Sequence, residues 1–397
     1  MVAGRRRVLI IVQNLPVPFD RRVWLECQAL VAAGYEVSVI CPKGAGDPSY
    51  AVVDGVALYK YRPYAPGGGA VGFALEYAYS FLATGWLALR VRGRRRLHVL
   101  QACNPPDIFW PIAILLRLLD GCRFVFDQHD LCPELYESRF PTGAKAPYRA
   151  LRALERATYR AADHVIATND SYREVAIARG GKRPDEVTVV RTGPDPDRLV
   201  RGEPSEPVRR GHKFLVAYLG VMGPQDGVDN VVRAAAHVVH TLGRDDVAFT
   251  VIGSGDCFDE LVALAAELGL TDHLEFTGRA PDGVVAEVLS TADVGLSPDP
   301  KNPLNDVSTM NKTMEYMAFG LPVVAFDLKE TRVSAEAAAV YVEPGRVDSY
   351  ADAIVELLDD DERRAEMGAF GRTRVEDVLA WQHQRPAYLA VYEQVRD

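Results

Sequence analysis

The chain has 397 residues, of which 48% are apolar and 25% charged, and this balance is typical of a soluble globular protein with two or three domains. The formal net charge is −9, but it is unevenly distributed. Residues 1–200 contain 27 basic and 20 acidic residues, whereas residues 201–397 contain 18 basic and 34 acidic residues. A basic half favours an anionic partner such as lipid headgroups. We expect no nucleic acid as partner, because no recognition motif accompanies the basic residues.

Disulfide frameworks and structural zinc sites are not expected. The six cysteines form no CxxC pair and have no histidine at ligand spacing: Cys27, Cys41, Cys103, Cys122, Cys132 and Cys257. We predict reduced, mostly buried thiols.

Short β-branched runs alternate with helical stretches along the whole chain. In the first half we predict strands at Val8–Val12, Val37–Ile40, Val99–Gln101, Phe124–Asp127, His164–Ala167 and Val187–Val190, with helices such as Arg22–Ala33 and Tyr148–Ala161. In the second half we predict strands at Phe214–Leu219, Ala248–Ile252, Leu274–Thr277, Val294–Leu296, Pro322–Ala325 and Ala339–Val342. The helices between and after them are Gly227–Leu242, Cys257–Leu268, Asp282–Ser290, Asn311–Phe319 and Ser349–Leu358. This order predicts α/β architecture: two doubly wound, Rossmann-like domains of parallel strands that bind ligands at the strands' carboxyl ends, in the cleft where the domains face each other.

Two apolar stretches could be membrane signals. The run Val8–Val12 is too short for a signal-peptide core and reads as a buried strand. The stretch Ala70–Leu89 approaches membrane-spanning length and is followed by Arg90 and Arg92–Arg96. We rank a core helix first, a helix lying on a membrane surface second and a transmembrane span last, because Glu76 interrupts the stretch.

A glycine-containing loop connects a strand to a helix in Tyr218–Gly227. Glycines let a backbone approach an anion, and the following helix would present N–H groups, so Gly220, Met222 and Gly223 could cradle a pyrophosphate. The alternative is a tight turn without a ligand.

The segment Asn305–Val324 is the most informative part of the chain. Ser308 or Thr309 could cap a helix that begins near Asn311. Lys312 in the first turn opposes the helix dipole and is tolerable if an anion binds there, while a carboxylate one turn later, at residue 315, could accept from two ribose hydroxyls. The alternative is an ordinary exposed Lys–Glu pair.

Two polar groups follow strands of the first half. His129 comes directly after the strand Phe124–Asp127 and could contact a sugar hydroxyl or the reacting centre, unless it only stabilises its own loop. The group Asp20-Arg21-Arg22 follows the first strand and could contact an anion or acceptor, unless it is a solvated helix start.

Taken together, these segments resemble the retaining, nucleotide-sugar-dependent GT-B glycosyltransferases of family four, in a subgroup that builds surface polysaccharides. The segments that carry the resemblance are Phe19–Trp24, Leu30–Val37, Asp127–Asp130, Val251–Gly255, Phe276–Arg279, Lys312–Val324 and Trp381–Tyr392. The specific one is Lys312–Val324, which fits the pattern K-x-x-E-Y-M-A-x-G-x-P-V-V. The resemblance implies an acceptor-side domain of residues 1–198 plus 380–397 and a donor-binding domain of residues 199–379.

The resemblance also implies roles for individual residues. Glu315 would bind the donor ribose, Lys312 its diphosphate, and His129 would face the transferred sugar. The expected donor-binding set is Gly220, Met222, Gly223, Gly253, Gly278, Arg279, Thr309, Met310, Asn311, Lys312 and Glu315. The expected acceptor-side set is Asp20, Arg21, His129 and Asp130. The expected catalytic set is His129, Lys312 and Glu315, with no cofactor and no metal.

The sequence departs from the family pattern at cationic and acidic positions. Val221 and Asp226 stand where many members carry an arginine and a lysine, Val307 stands where a second glutamate is common, and Asn14–Pro18 replaces a double-glycine loop. Each lost charge-assisted bond is worth roughly 1.5–3 kcal/mol. We expect Lys312, Arg279 and loop amides to compensate.

The expected activity is sugar transfer from a UDP- or GDP-sugar to a glycan, lipid-linked or small-molecule acceptor, in the cytoplasm or peripherally on the inner membrane face. The alternative is a catalytically silent GT-B protein that binds a nucleotide sugar as a sensor or assembly subunit. An epimerase of the same fold ranks third.

Overall fold

The structure, a computed structural model, describes residues 5–64, 70–93, 95–140, 142–195 and 200–396. The predicted domain boundary between residues 198 and 199 lies outside the described residues. The chain divides into two compact units, one of Met1–Thr192 with Gln384–Asp397 and the other of Gly193–His383. We call them unit 1 and unit 2.

Unit 1 is built on an eight-stranded sheet in the order β3-β4-β2-β1-β5-β6-β7-β8. The strands are β1 Arg7–Ile11, β2 Glu36–Pro42, β3 Tyr50–Val53, β4 Val56–Tyr61, β5 Val99–Cys103, β6 Arg123–Gln128, β7 His164–Ala167 and β8 Val187–Val189. The helices are α1 Arg21–Ala32, α2 Ala70–Arg92, α3 Trp110–Asp120, α4 Cys132–Arg139, α5 Lys145–Ala161 and α6 Asp170–Ala178. The central strands are buried on both faces, as continuous apolar runs predict.

One pair of strands in unit 1 is antiparallel and was not predicted. Strands β3 and β4 form a hairpin whose turn is Asp54-Gly55, with φ of 45° and 82°. Both turn residues having positive φ is the geometry of a two-residue hairpin, for which Asp-Gly is a favoured sequence. The prediction of purely parallel sheets is therefore wrong for this edge.

The strand order places the helices of unit 1 on two faces. From β1 through β2 to β4 the chain moves one way across the sheet, and from β4 through β5 and β6 to β7 it moves the other way. Right-handed crossovers then put α1 on one face and α2, α3 and α5 side by side on the other. The helix α15, Trp381–Gln394, packs on the α1 side, where the ring of Tyr392 lies 5.7 Å from that of Tyr35.

Unit 2 has a six-stranded, all-parallel sheet in the order β11-β10-β9-β12-β13-β14. Its strands are β9 Phe214–Leu219, β10 Val247–Ile252, β11 Leu274–Gly278, β12 Val294–Ser297, β13 Val323–Phe326 and β14 Ala339–Val342. Its helices are α7 Glu206–Arg209, α8 Val228–Ala236, α9 Phe258–Glu267, α10 Asp282–Thr291, α11 Asn311–Ala318, α12 Lys329–Ala335, α13 Val347–Leu358 and α14 Asp361–Arg374. Apolar cores cover both sheet faces, one containing Val231 and Ile354, the other Val288 and Met317.

The predicted fold class is confirmed, and every predicted strand is present within a few residues of its expected bounds. All six cysteines are free, and five are buried. The predicted core helix Ala70–Leu89 is only half correct, because α2 buries Leu87 and Val91 but exposes Leu82 and Trp86. Among the described helices, none combines the length and the apolar character that crossing a membrane requires.

Candidate functional sites in the two units

The candidate donor site of unit 2 lies where the strand order reverses, between β9 and β12. In open α/β sheets ligands bind outside the carboxyl ends of the strands at this point. The loops that follow these two strands are tied together there. The side-chain amide of Asn305 donates to the carbonyls of Gln225 at 2.8 Å and Pro300 at 2.9 Å.

In the glycine-containing loop after β9, the backbone N–H groups that we expected to bind a pyrophosphate bond to other parts of the protein instead. The N–H of Gly220 donates to Ile252, that of Met222 to Ser254, and that of Gly223 to the carboxylate of Asp226 at 2.8 Å. These bonds hold the loop against the strand end after β10 and close a short 3₁₀ turn at Pro224–Asp226. The three amides that the sequence offered to a pyrophosphate are thus engaged within the protein.

Lys312 is held at the same end of the sheet by an ion pair. Its Nζ lies 2.5 Å from Oδ1 of Asp299, the second residue after β12, and 5.4 Å from the ring centroid of Tyr218. The two charged side chains are only 10% and 2% exposed. Burial lowers the pKa of Lys312, but the carboxylates of Asp299 and Asp226 outweigh burial and raise it. The ammonium group is therefore a fixed positive charge at neutral pH.

Helix α11 is anchored through Tyr316. Its hydroxyl accepts from the N–H of Leu219 at 2.7 Å and donates to the carbonyl of Leu296 at 3.1 Å, so one side chain bonds to both strands at the reversal point. The ring leaves no room for a side chain on β12, where a Cβ at Gly295 would lie 2.4 Å from it. The first turn of α11 is thereby fixed relative to the sheet.

The predicted helix start at Asn311 is confirmed, but its predicted capping residue is wrong. Met310 occupies the N-cap without a side-chain bond, and the hydroxyl of Ser308 donates backwards to the carbonyl of Leu304 at 2.8 Å. The first N–H groups of an α-helix have no partner inside the helix, and Thr309 and Met310 lead directly into them. Glu315 lies one turn after Lys312 and is half-buried.

Two further donor-side predictions fall at the end of β11. Gly278 has a φ of +64° and accepts through its carbonyl from the N–H of Gly253 at 3.0 Å. Arg279 follows it on the surface. These residues therefore lie at the carboxyl edge of the same sheet as the Lys312 pair.

In unit 1, His129 lies in the loop after β6, at the carboxyl end of the sheet. The N–H groups of His129 and Asp130 both donate to Oδ1 of Asn104, at 2.7 and 3.1 Å. The side-chain amide of Asn104 donates back to the carbonyl of Asp130 at 2.8 Å. Asn104 follows β5, so it links two strand ends and fixes the His129 loop.

The imidazole of His129 faces a buried charged cluster. Its Nε2 lies 2.8 Å from Oδ2 of Asp127 and 3.1 Å from Nε of Arg22, whose guanidinium also donates to Oδ1 of Asp127 at 2.9 Å. Burial raises the pKa of Asp127, but the charges of Arg22 and His129 outweigh it and hold that pKa well below its usual range. The carboxylate is thus ionised and orients the ring.

A second carboxyl in this cluster behaves in the opposite way. Burial, reinforced by the negative charge of Asp127, raises the pKa of Glu26 well above its usual range. The side-chain amide of Gln101 donates to Glu26 at 2.7 Å and to Asp127 at 3.0 Å. Its oxygen accepts from the hydroxyls of Tyr388, at 2.9 Å, and Tyr392, so α15 completes the cluster.

Cys103, Asp127 and His129 offer ligand atoms within 4.8 Å of one another. The cationic guanidinium of Arg22 already bonds to Asp127 in this group. Burial raises the pKa of the Cys103 thiol well above its usual value, and a protonated thiol is a poor metal ligand. These residues fit an ion-pair cluster better than a metal centre.

The acceptor-side group after β1 separates into different environments. Asp20 is the N-cap of α1 and accepts from the N–H of Val23 at 3.1 Å. Arg21 is exposed at the first position of that helix, whereas Arg22 points into the buried cluster. Arg22 contacts His129 through its Nε.

Sequence reasoning missed several residues that build these sites. They are Tyr218, Asp299, Asn305 and Tyr316 in unit 2, and Glu26, Gln101, Asn104, Tyr388 and Tyr392 in unit 1. The signal that selected His129, a polar residue just after a strand, also applies to Asn104 and Asp299. Tyr316, Tyr388 and Tyr392 carry no such signal, because their hydroxyls bond to Leu219, Leu296 and Gln101, which are distant in sequence.

Family descriptions match both units. Residues 20–198 match Glycosyltransferase Family 4, and residues 213–360 match Glycosyl transferases group 1. The chain belongs to these glycosyltransferases. The predicted resemblance to the glycosyltransferases of family four is therefore confirmed.

Two curated relatives show the range of this family. A 2-deoxystreptamine glucosyltransferase of Streptomyces kanamyceticus is 29% identical over 255 residues, which are 61% of this chain and 63% of that protein. A GDP-mannose-dependent alpha-(1-6)-phosphatidylinositol monomannoside mannosyltransferase of Mycobacterium tuberculosis is 31% identical over 191 residues, 47% of this chain and 49% of that protein. The matched part thus spans about half to two thirds of these relatives.

The fold is also that of solved structures. A sucrose-phosphate synthase from Thermosynechococcus elongatus superposes with a TM-score of 0.81 at 17% identity, covering 98% of this chain and 99% of the other. The two parallel-sheet α/β domains are those of the GT-B glycosyltransferases.

Proposed function

We propose that the protein is a retaining glycosyltransferase that uses a UDP- or GDP-sugar without a metal ion. The observation that carries this proposal is the position of Lys312. Its protonated ammonium group lies at the first turn of α11, beside the strand reversal of unit 2, where the fold binds ligands. A buried cation and helix N–H groups together suit a nucleotide diphosphate.

In this proposal the remaining donor contacts come from α11, from the residues that lead into it and from the end of β11. Glu315, one turn after Lys312, accepts from the ribose hydroxyls, while Thr309, Met310 and Asn311 present the backbone to the phosphates. Gly278 and Arg279 lie towards the base. A GDP-mannose-dependent relative supports a nucleotide sugar as donor.

The proposed reaction exchanges two bonds at the anomeric carbon. The bond from that carbon to the diphosphate oxygen breaks, and the acceptor oxygen bonds to the same face. The acceptor proton passes to the departing diphosphate oxygen, whose developing charge Lys312 stabilises. His129, with Asp130 and the Asp20-Arg21 helix start, belongs to the proposed acceptor side, and Asp127 with Arg22 keeps the imidazole in place.

We further propose that the acceptor is lipid-linked and that the protein acts at the inner face of a membrane. The phosphatidylinositol mannoside named for one relative supports a lipid acceptor. Polysaccharide and small-molecule acceptors are the other members of the proposed class.

The proposal is tested first by thermal unfolding with UDP and with GDP. A nucleotide at about 100 times its Kd stabilises the folded state by ~2.7 kcal/mol, because it binds only that state. We expect Lys312→Met and Glu315→Gln to abolish the shift, while the exposed Lys213→Met and Glu362→Gln leave it intact. A full shift in the Lys312 and Glu315 variants would contradict this donor site.

Turnover separates an enzyme from a silent nucleotide-sugar sensor. The sensor is favoured by Asp226 and Asp299, which place negative charge beside Lys312. We expect slow release of UDP or GDP from the donor sugar by the wild-type protein and none by Glu315→Gln. Tight binding without any release or transfer would favour the sensor.

A further inference from the structure

We propose that the outer face of α2, α3 and α5 is a docking surface for an anionic phospholipid bilayer. We call it the α2–α3–α5 face. It deepens the proposed function, on which it depends only for the lipid-linked acceptor. The three helices lie side by side on one face of the sheet of unit 1.

Helix α2 exposes a stripe of large apolar side chains. At ~100° per residue they fall within about a quarter of the helix circumference. The stripe consists of Leu75, Tyr79, Leu82, Trp86 and Leu89. Leu82 is 70% and Trp86 62% exposed, so most of each side chain lies outside the core. The opposite side of the same helix is buried through Thr84, Leu87 and Val91.

Helix α3 continues the apolar surface. An added Cβ at Gly85 of α2 would lie 3.8 Å from Cδ1 of Ile112, so the two helices are in contact. The outward residues of α3 are Ile114, Leu115, Leu118 and Leu119, and Leu118 is 79% exposed. Contiguous exposed apolar residues on two neighbouring helices mark an interaction site.

Helix α5 borders this apolar surface with positive charge. The guanidinium of Arg117 in α3 donates to the carbonyl of Ala161 at 2.8 Å, which joins α3 to the end of α5. A stripe of basic residues at helical spacing runs along α5, namely Lys145, Arg149, Arg152, Arg156 and Arg160. At the end of α2, the guanidinium of Arg90 lies 5.6 Å from the ring centroid of Trp86.

The charges favour a bilayer over the other possible occupants. The carboxylates of Asp120 and Asp163 at this face are neutralised by ion pairs with Arg92 and Arg117. A symmetric second copy would bring one basic α5 against another, which is unfavourable. An anionic bilayer supplies headgroups for the arginines and an apolar layer for the leucines, and tryptophan favours the boundary between them.

The experiment is sedimentation of the full chain with vesicles. One set is phosphatidylcholine alone, and the other is equal parts of phosphatidylcholine and phosphatidylglycerol. We expect binding to the anionic set, weakening as salt is raised, because salt screens the headgroup charge. Equal binding to both sets, or binding to neither, would overturn the proposal.

Two triple variants test the two parts of the face. Leu82→Ser/Trp86→Ser/Leu118→Ser should reduce vesicle affinity at least tenfold, whereas Val52→Ser/Val262→Ser/Phe370→Ser, which alters exposed apolar residues elsewhere, should not. Unchanged affinity in the first variant would overturn the surface.

The basic part of the face is tested by Arg149→Gln/Arg156→Gln/Arg160→Gln, which should lower vesicle affinity about fivefold for each arginine removed. Arg233→Gln/Arg346→Gln/Arg363→Gln has the same net charge and should keep its affinity.

The remaining outcomes are also decisive. The proposal is wrong if the chain does not bind vesicles and light scattering shows a dimer that Leu82→Ser/Trp86→Ser/Leu118→Ser dissociates. In that case a second copy of the chain covers the face. Nucleotide-dependent stabilisation in the same variants reports on the donor site. Vesicle binding without sugar transfer would therefore contradict the proposed function while leaving the docking surface in place.

Discussion

At the scale of single residues, Gly253 sets the distance between two loops of the candidate donor site. It has a φ of +136°, and a Cβ there would lie 1.8 Å from the carbonyl oxygen of Gly220. Both glycines were selected from the sequence as donor contacts. The structure shows that the close approach of the loops after β9 and β10 needs a glycine at 253, whereas a Cβ at Gly220 would instead meet the hydroxyl of Tyr218 at 2.8 Å.

We expect Gly253→Ala to lower the free energy of unfolding of unit 2 by roughly 3 kcal/mol or more, because it combines backbone strain with a steric clash. Urea unfolding followed by circular dichroism measures this. Gly283→Ala is the matched control. A Cβ at Gly283 in α10 meets nothing within 4 Å, so the change should be neutral or stabilise by up to ~1 kcal/mol. Equal stabilities of the two variants would contradict the steric argument.

Asp299 is the second decisive residue, because it neutralises the cation that the proposed diphosphate needs. We expect Asp299→Asn to tighten binding of UDP or GDP about 5- to 30-fold, since removing one negative charge near the site is worth roughly 1–2 kcal/mol. Titration calorimetry on the folded variant measures it. Weaker binding would show instead that the carboxylate is needed to aim Lys312.

At the scale of elements, the sequence predicted the buried strands well because each is a continuous apolar run. Strand β1 lies at Arg7–Ile11 against an expected Val8–Val12. The hairpin Tyr50–Tyr61 was missed, although Asp54-Gly55 is a strong turn sequence, because neither of its strands is buried along its whole length. Strand β3 alternates exposed with half-buried residues, and β4 alternates buried with half-buried ones over most of its length. Helix α2 was ranked as a core helix on composition alone, which does not reveal a one-sided burial.

The pair of β7 and β8 contains a buried histidine that makes stability depend on pH. His164 is buried, and its Nε2 lies 2.9 Å from Oγ1 of Thr188. Burial, with the nearby charge of Lys182, lowers the pKa of His164 to about 4. Below its ordinary pKa of about 6.5 the unfolded chain binds a proton that the folded chain does not.

Wild-type stability should therefore fall relative to His164→Gln as the pH drops from about 6.5 to about 4, by up to about 3 kcal/mol. Chemical unfolding of both proteins across this range measures the difference. Subtracting the two curves removes the opposite contributions of Asp107 and Glu155, whose pKa values burial raises to about 6 and about 7. If the difference in unfolding free energy between the two proteins stayed constant from about pH 6.5 to about pH 4, His164 would bind its proton equally in the folded and unfolded chains. That result would contradict the lowered pKa.

At the scale of the whole molecule, the two-sheet architecture and the family could be predicted from the sequence. The hydrogen bonds and ion pairs within the candidate sites could not. The loop positions of His129 and Lys312 could be predicted, because each stands at the end of a strand or the start of a helix. The partners of these residues could not. Arg22 meets Asp127 across 105 positions and Tyr392 meets Gln101 across 291, distances over which local patterns carry no information.

The placement of α15 has a consequence for how the protein forms on the ribosome. The buried cluster of Glu26, Gln101 and Asp127 belongs to the part of the chain that emerges first, yet the hydroxyls of Tyr388 and Tyr392 that complete it emerge after all of unit 2. The first part of unit 1 therefore lacks these two hydroxyl groups while unit 2 is being translated. Unit 1 therefore cannot complete its fold until unit 2 has been translated. We expect the nascent chain to be most accessible to chaperones and proteases during this interval.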